Sequence, residues 1–169
     1  FFFFFFFFPS PPPPPPPPNS DGSEGPAYEA AVRDVALDWY KVFGHPPALV
    51  TYPPSAALLA RPVLYVGTTG WVGQVADLAR CGLAAGPEAH CLMAVNRSAL
   101  VVTGNGTMGA IFALYTLAER VLGVDPLYHV SFNSPAYLGN TSVPDDMLLA
   151  IPPPKFRYRG LFFNDEVIQ

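Results

Sequence analysis

The stretch that most constrains the fold of this chain is residues 99–124, which combine a strand, a glycine turn and a helix. The stretch opens with the β-branched run 101–103, Val-Val-Thr, which favours a half-buried strand. Residues 104–106, Gly-Asn-Gly, permit the positive φ angles of a sharp turn. Gly123 then ends a helix whose apolar residues recur at helical spacing: Ile111, Leu114, Tyr115, Ala118, Val121 and Leu122. Such a unit predicts a helix packed across a sheet.

The remaining periodicity predicts a layered α/β domain. Residues 28–43 form an expected helix, with Pro26 before its first turn and Gly44 at its end. The strands on either side of residues 96–98 predict a hairpin. The other expected elements are a helix at residues 72–80 and strands at residues 48–52, 63–66, 91–95, 100–103, 147–151 and 161–163. This order predicts a sheet with helices packed against it.

Two homopolymer tracts precede this domain. Residues 1–8 are all phenylalanine and residues 11–18 are all proline, and neither composition can specify a core. The proline run is expected to form a polyproline II rod or a disordered spacer. The phenylalanine run lacks the flanks of a signal peptide and is far shorter than a membrane span. Residues 1–26 are therefore expected to be a low-complexity tract and linker without a fixed fold, and no membrane partner is expected.

The net charge and the spacing of possible metal ligands limit the classes of partner that we expect for this chain. The net charge of −4 leaves no basic stripe to neutralise phosphates, so a nucleic-acid partner is not expected. The three histidines are scattered and no Cys/His spacing typical of a metal site is present, so no metal is expected. The oligomeric state stays open.

The cysteines and the glycosylation sequons bear on the cellular compartment. Cys81 and Cys91 are the only cysteines, and a buried reduced pair is favoured over a disulfide. Three Asn-x-Ser/Thr sequons begin at Asn96, Asn105 and Asn140. Since such tripeptides are common by chance, they favour a secreted protein only slightly, and the localisation stays open.

Two ordered blocks carry a family resemblance. The block GNGTMGAIFALYTLAERVLGVDPLY (residues 104–128), followed by KFRYRGLFFNDE (residues 155–166), resembles the N-terminal region of the α-glucuronidases of glycoside hydrolase family 115. Residues 30–47 and 63–82 look like earlier parts of the same region, so the resemblance covers residues 28–169. Met108 and Val130 stand where the family pattern carries an arginine and a tryptophan.

The resemblance implies a domain order and an activity. Residues 27–154 would form an accessory α/β domain like that of hexosaminidases. Residues 155–169 would enter the first strand of a (β/α)8 barrel that this chain truncates. The intact enzyme would release (4-O-methyl)glucuronic acid from xylan, a polysaccharide or oligosaccharide substrate, without a cofactor.

The resemblance also implies site residues. Asn164 and Asp165 follow an apolar strand and would line the sugar pocket at the carboxyl end of a barrel strand. Glycosidases normally use two carboxylates across the scissile bond. The pair Asp34 and Asp38 is expected to be a solvated helix face, and residues 145–146 lie in an expected loop. The catalytic pair is therefore expected beyond Gln169, and this chain alone should be inactive.

Two other functions remain open. A strand followed by Gly67, Gly70 and Gly73 and then a helix is also how nucleotide-binding Rossmann-like oxidoreductases begin. The acidic residue expected about twenty residues further on is missing, however, so a structural turn is favoured. The third possibility is a carbohydrate-associated or interaction domain with no enzyme attached, for which the aromatic and sequon content is mild support.

Overall fold

The computed structural model describes residues 5–9, 24–52, 62–128, 133–156, 158 and 160. The strands are β1 (Phe5–Pro9), β2 (Ala48–Tyr52), β3 (Val63–Thr68), β4 (His90–Asn96), β5 (Ala99–Gly104) and β6 (Leu148–Ile151). The α-helices are α1 (Glu24–Phe43), α2 (Thr69–Val72) and α3 (Gly106–Arg120), and Ala79–Cys81 form a 3-10 turn.

The strands form one mixed sheet in the order β2-β1-β3-β5-β4-β6. The first four strands in this order are parallel, whereas β4 runs antiparallel to both β5 and β6. β3 and β5 pair in register from their first residues, Val63 and Ala99, to their last, Thr68 and Gly104. β4 and β5 form the hairpin that the sequence predicted, so that prediction is confirmed.

Apolar side chains cover both faces of the sheet. α1 and α3 pack on one face, where Leu64 and Val102 lie beneath Leu114 and Trp39. On the other face, α2 and the following turns cover a smaller cluster: Val72, Cys81, Cys91, Met93 and Val101. Strand neighbours point to opposite faces, which explains why the consecutive residues 101 and 102 belong to different clusters. The layered α/β architecture expected from the sequence is confirmed.

Glycine ends both long helices as the sequence predicted. Gly44 follows α1 with φ of +76° and its N–H bonds to the Tyr40 carbonyl at 2.8 Å. Gly123 follows α3 with φ of +69°, and the next N–H, that of Val124, returns to the Ala118 carbonyl at 3.0 Å. A left-handed residue at this position satisfies carbonyls that the last helical turn leaves without partners.

The prediction of a helix at residues 72–80 is wrong. α2 is a single turn, residues 73–75 form a turn, and residues 76–78 are irregular before the 3-10 segment. The Asp77 carboxylate accepts the backbone N–H of Ala79 at 2.9 Å. Such a local bond between side chain and backbone competes with helix formation.

The reduced state expected for the two cysteines is also wrong. Cys81 and Cys91 form a disulfide with a Cα–Cα distance of 6.0 Å. The 3-10 turn places Cys81 over the sheet face on which Cys91 lies, and both residues are buried in the smaller cluster. Sequence spacing alone could not show this approach, because it depends on how the chain folds back across β4.

The N-terminal tract departs from expectation in part. Residues 1–26 were expected to lack a fixed fold, but Phe5–Pro9 form β1 between β2 and β3, parallel to both. Phenylalanine favours strands, and backbone pairing does not require a specific side-chain sequence. α1 begins at Glu24, within the segment assigned to the linker. The strand expected at residues 161–163 lies outside the described residues.

The central helix provides the first test of this packing. Leu114 is fully buried between α1 and the sheet, so Leu114→Ala should lower the free energy of unfolding by about 2–5 kcal/mol through lost burial and a cavity. Met108→Ala, on the same helix with 43% of the residue exposed, should cost less than about 0.5 kcal/mol. Urea unfolding measures both values. A loss below about 1 kcal/mol for Leu114→Ala would mean that α3 does not pack on the sheet as described.

Candidate functional site at the carboxyl edge of the sheet

The carboxyl ends of β3 and β5 are the natural place for a ligand in this fold. Thr68 and Gly104 end the two parallel strands side by side, and α2 and α3 begin directly after them. Open α/β sheets bind ligands in the crevice beyond the carboxyl ends of their strands. Both glycine motifs of the sequence lie at this edge, so their geometry decides whether it holds a cofactor.

The turn between β5 and α3 is filled by the polypeptide itself. A Cβ at Gly104 would lie 2.6 Å from the Cα of Gly109, and a Cβ at Gly109 would lie 2.9 Å from the carbonyl oxygen of Ala89. Neither position can therefore carry a side chain. These glycines bring the start of α3 against the end of β5, which supports the structural interpretation of the turn.

Asn105 closes this edge with its side chain. Its amide nitrogen donates to the carbonyl oxygens of Ala84 and Gly86, each at 3.1 Å. Its carbonyl oxygen accepts a bond from the Thr69 hydroxyl at 3.4 Å, and its backbone N–H bonds to the Ala89 carbonyl at 2.8 Å. The loop of residues 84–89 is thus tied across the strand ends.

The glycines after β3 are also explained by packing. A Cβ at Gly67 would lie 2.9 Å from the ring of Trp71, and a Cβ at Gly73 would lie 2.9 Å from the carbonyl oxygen of Thr69. α2 spans only Thr69–Val72. A dinucleotide phosphate rests on the N-terminus of a longer helix, and α2 is too short to provide one. The oxidoreductase alternative gains no support from this geometry.

His90 lies at the same edge, where β4 pairs with the end of β5. Its Nδ1 is 2.7 Å from the Glu88 carbonyl oxygen, and its Nε2 is 2.9 Å from the Thr116 hydroxyl oxygen. A carbonyl only accepts, so Nδ1 carries the proton of the first bond, and Nε2 forms the second bond with the Thr116 hydroxyl. Both ring nitrogens are engaged, and His90 holds the loop against α3 rather than offering a base.

A shallow groove opens beside this histidine. Glu88, the one described non-glycine residue with positive φ (69°), lies at its rim. The groove is lined by Glu88, His90, Phe112, Ile151, Pro152 and Pro154. The Phe112 and His90 rings lie nearly parallel with centroids 6.2 Å apart. The lining is almost wholly apolar and presents no pair of carboxylates.

A polar cluster on the outer side of the helical layer was not foreseen. Asp38 is only 5% exposed, so the expectation of a solvated Asp34 and Asp38 face is wrong for Asp38. Its carboxylate accepts the Tyr128 hydroxyl at 2.8 Å, and Lys41 donates to the same hydroxyl at 2.9 Å. Asp38 stands within the apolar stripe of α1, at helical spacing between the buried residues Val35 and Val42. A charged residue within an apolar stripe was the sequence signal from which the burial of Asp38 could have been predicted.

The cluster shifts three pKa values. The hydrogen bond from Lys41 to Tyr128 raises the pKa of the lysine. Burial raises the pKa of the Tyr128 hydroxyl. Burial, followed by the hydrogen bond to Asp34 at 3.1 Å, raises the pKa of Tyr115 to about 12. Each carboxylate of this cluster accepts a hydrogen bond from a tyrosine, so the two aspartates connect α1 to α3 and to Tyr128.

The other acidic candidates do not assemble a site within the described residues. Asp145 forms an exposed ion pair with Arg97 at 2.9 Å. Asn164 and Asp165, the predicted sugar contacts, lie outside the described residues and remain a prediction. Across the described ranges, no cluster of three His, Cys, Asp or Glu residues could hold a metal ion. In the same part of the chain, no helix has the length and apolar character needed to cross a membrane.

The described residues define the class of the protein as an α/β domain with layers on both faces of a mixed sheet. A solved structure with this fold is the family GH115 4-O-methyl-α-glucuronidase BtGH115A, which is described as having specificity for decorated arabinogalactans. The TM-score is 0.61 at 16% sequence identity. The match covers 86% of this chain but only 17% of that enzyme.

The other comparisons found no relatives. No protein-family model matches the chain. No curated protein matches it. At 16% identity, the structural match establishes the fold and leaves the activity to be tested.

The raised pKa of Tyr115 predicts a specific alkaline response. An unfolded tyrosine titrates near 10 and folded Tyr115 near 12, so its contribution to stability is complete below about pH 10 and lost as the pH rises towards about 12. Tyr115→Phe should therefore lose stability less steeply than the wild type in this window, as measured by urea unfolding at stepped pH. Asp34→Asn removes the second cause and should give an intermediate slope. Parallel curves for Tyr115→Phe and wild type would contradict this assignment.

The glycine geometry predicts that the chain binds no dinucleotide. Titration calorimetry with NAD⁺ and NADP⁺ should show no binding, because α2 is one turn and the loop glycines serve internal packing. Gly70→Val is the matched variant, since an added Cβ at Gly70 meets nothing within 4 Å and leaves the packing intact. Micromolar affinity that this substitution abolishes would restore the oxidoreductase alternative.

Proposed function

We propose that residues 27–154 are the accessory domain of a glycoside hydrolase similar to the family 115 α-glucuronidases, and that the chain is a segment of that enzyme. The observation that carries the proposal is an agreement between the sequence pattern and the fold. The blocks at residues 104–128 and 155–166 resemble the family by sequence, and a solved member of the family has a similar fold, with a TM-score of 0.61 over 86% of this chain.

The proposed substrate is a polysaccharide or oligosaccharide that carries glucuronic acid side groups. The enzyme would release (4-O-methyl)glucuronic acid, with xylan as the carrier. The solved enzyme of similar fold is described as having specificity for decorated arabinogalactans. Decorated arabinogalactan is therefore the alternative substrate to xylan. Rates of uronic acid release from the two polysaccharides, measured at equal uronic acid content, show whether the enzyme recognises only the shared sugar or also the polymer that carries it.

Catalysis would depend on residues outside this chain. A glycosidase normally needs two carboxyl groups about 5–10 Å apart, one of them an acid with a raised pKa. Among the described residues, Asp34 and Asp38 accept tyrosine hydroxyls and Asp145 pairs with Arg97. None of these carboxylates is positioned as half of a catalytic pair. The chain of 169 residues alone should release no uronic acid from either substrate.

Asn164 and Asp165 are the proposed sugar contacts. They follow the apolar run at residues 161–163, and a barrel strand would deliver its following side chains to the mouth where other strand ends converge. Asp165 would accept bonds from sugar hydroxyls. Asn164 could donate to the glucuronate carboxylate without adding a like charge. The general acid is not assigned to Asp165, because that role requires a partner carboxylate.

The test is Asp165→Asn in the complete enzyme. Hydrogen bonds to charged groups contribute about 1.5–3 kcal/mol, so kcat/KM on glucuronoxylan oligosaccharides should fall about 10- to 100-fold. Asp145→Asn is the matched control, since it also converts an aspartate to an amide and disturbs only an exposed ion pair. Its kcat/KM should stay within about twofold of wild type.

The outcomes separate the parts of the proposal. Unchanged kcat/KM for a folded Asp165→Asn variant removes Asp165 from the sugar site but leaves the activity standing. Release of uronic acid by the 169-residue chain alone would overturn the placement of the catalytic pair. A complete protein that cleaves neither glucuronoxylan nor decorated arabinogalactan would overturn the proposed function itself.

A further inference from the structure

The three glycosylation sequons occupy different environments in the folded domain. Asn96 and Asn140 are exposed, whereas Asn105 is half-buried at the carboxyl edge of the sheet. This difference separates positions that can carry a large polar modification from one that cannot.

Asn96 ends β4 at the tip of the hairpin. Its side-chain oxygen accepts the backbone N–H of Ser98 at 2.8 Å, which fixes a tight turn across the tripeptide. Among the described residues, none forms a hydrogen bond with its amide nitrogen. A substituent on that nitrogen would therefore leave the described bonds of the hairpin intact.

Asn140 lies in the irregular segment that returns towards β4. The groove at the amino end of β5 is lined by Asn96, Arg97 and Ser98 of the first sequon and by Thr141 and Ser142 of the third. The ion pair between Arg97 and Asp145 holds this segment beside the hairpin. Two exposed acceptor tripeptides thus meet at one edge of the sheet.

Asn105 stands in contrast at the opposite edge. Both N–H bonds of its amide are used, one to the carbonyl oxygen of Ala84 and one to that of Gly86. A glycosylated asparagine keeps only one N–H on this nitrogen. A glycan here would remove one of these bonds and displace the loop that closes the edge.

The disulfide supplies an independent observation about the compartment. Cys81 and Cys91 are linked, and structural disulfides form and persist in oxidising compartments such as the lumen of the endoplasmic reticulum. Transfer of N-linked glycans takes place in that same lumen. A chain that forms this bond in that lumen would also meet the enzyme that modifies exposed sequons.

We propose that Asn96 and Asn140 carry N-linked glycans and that Asn105 stays unmodified in the folded protein. In the transfer, the asparagine nitrogen attacks the anomeric carbon of an oligosaccharide linked to a lipid pyrophosphate. A C–N bond forms, the C–O bond to the pyrophosphate breaks, the lipid pyrophosphate leaves, and one amide proton passes to a base of the transferase. The two glycans would cover the groove at the amino end of β5 and leave the carboxyl ends of β3 and β5 uncovered.

The experiment expresses the full chain behind a secretion leader in eukaryotic cells. The secreted protein is treated with peptide N-glycanase in heavy-oxygen water, and the converted asparagines are mapped by mass spectrometry. Ser98→Ala, Thr107→Ala and Ser142→Ala each destroy one sequon without altering its asparagine. The wild type should carry glycans at Asn96 and Asn140, and the Ser98 and Ser142 variants should each lose one. The Thr107 variant should lose none.

Site mapping of the secreted wild type decides the proposal even where a variant fails to fold. Occupancy of Asn96 and Asn140 with a bare Asn105 supports it. A glycan on Asn105 in secreted protein with an intact disulfide would overturn the structural argument. A secreted chain in which Asn96 or Asn140 carries no glycan would overturn the proposal that both asparagines are modified.

Discussion

The close approach of Gly104 and Gly109 is the constraint on which the rest of the domain depends. Because neither residue has a side chain, α3 begins directly against the end of β5. β5 itself pairs with β3 and β4, so this contact fixes the helix over the middle of the sheet. Leu114 and Leu117 are then fully buried beneath α1. A side chain at either glycine would lift the helix and open the largest apolar cluster.

Local sequence signals were sufficient for most of this framework. β-Branched runs, glycine stops and apolar periodicity gave the hairpin, the central helix and the layered α/β class. They failed at residues 72–80, where apolar spacing suggested a helix but the Asp77 carboxylate bonded the backbone instead. They also failed for Phe5–Pro9, because composition argued against a core while strand pairing needs only the backbone.

The polar sites were harder to predict because their partners are distant in sequence. Asp38 and Tyr128 are 90 residues apart. Cys81 and Cys91 are separated by only 10 residues, but they meet only after the chain folds back onto β4. A charged residue within an apolar stripe signals that a partner is needed but does not name it. Asn164 and Asp165 remain a prediction, since they rest on family resemblance and on the strand that precedes them.

The outer strands of the sheet share a feature with a consequence for pairing with a further strand. β6 spans only Leu148–Ile151 and is followed at once by three prolines, and β2 is followed in the sequence by Pro53 and Pro54. Proline has no N–H to offer a neighbouring strand, and short outer strands give a second chain little to pair with. A further strand that paired with β6 or β2 would therefore lose its backbone donors where these prolines begin.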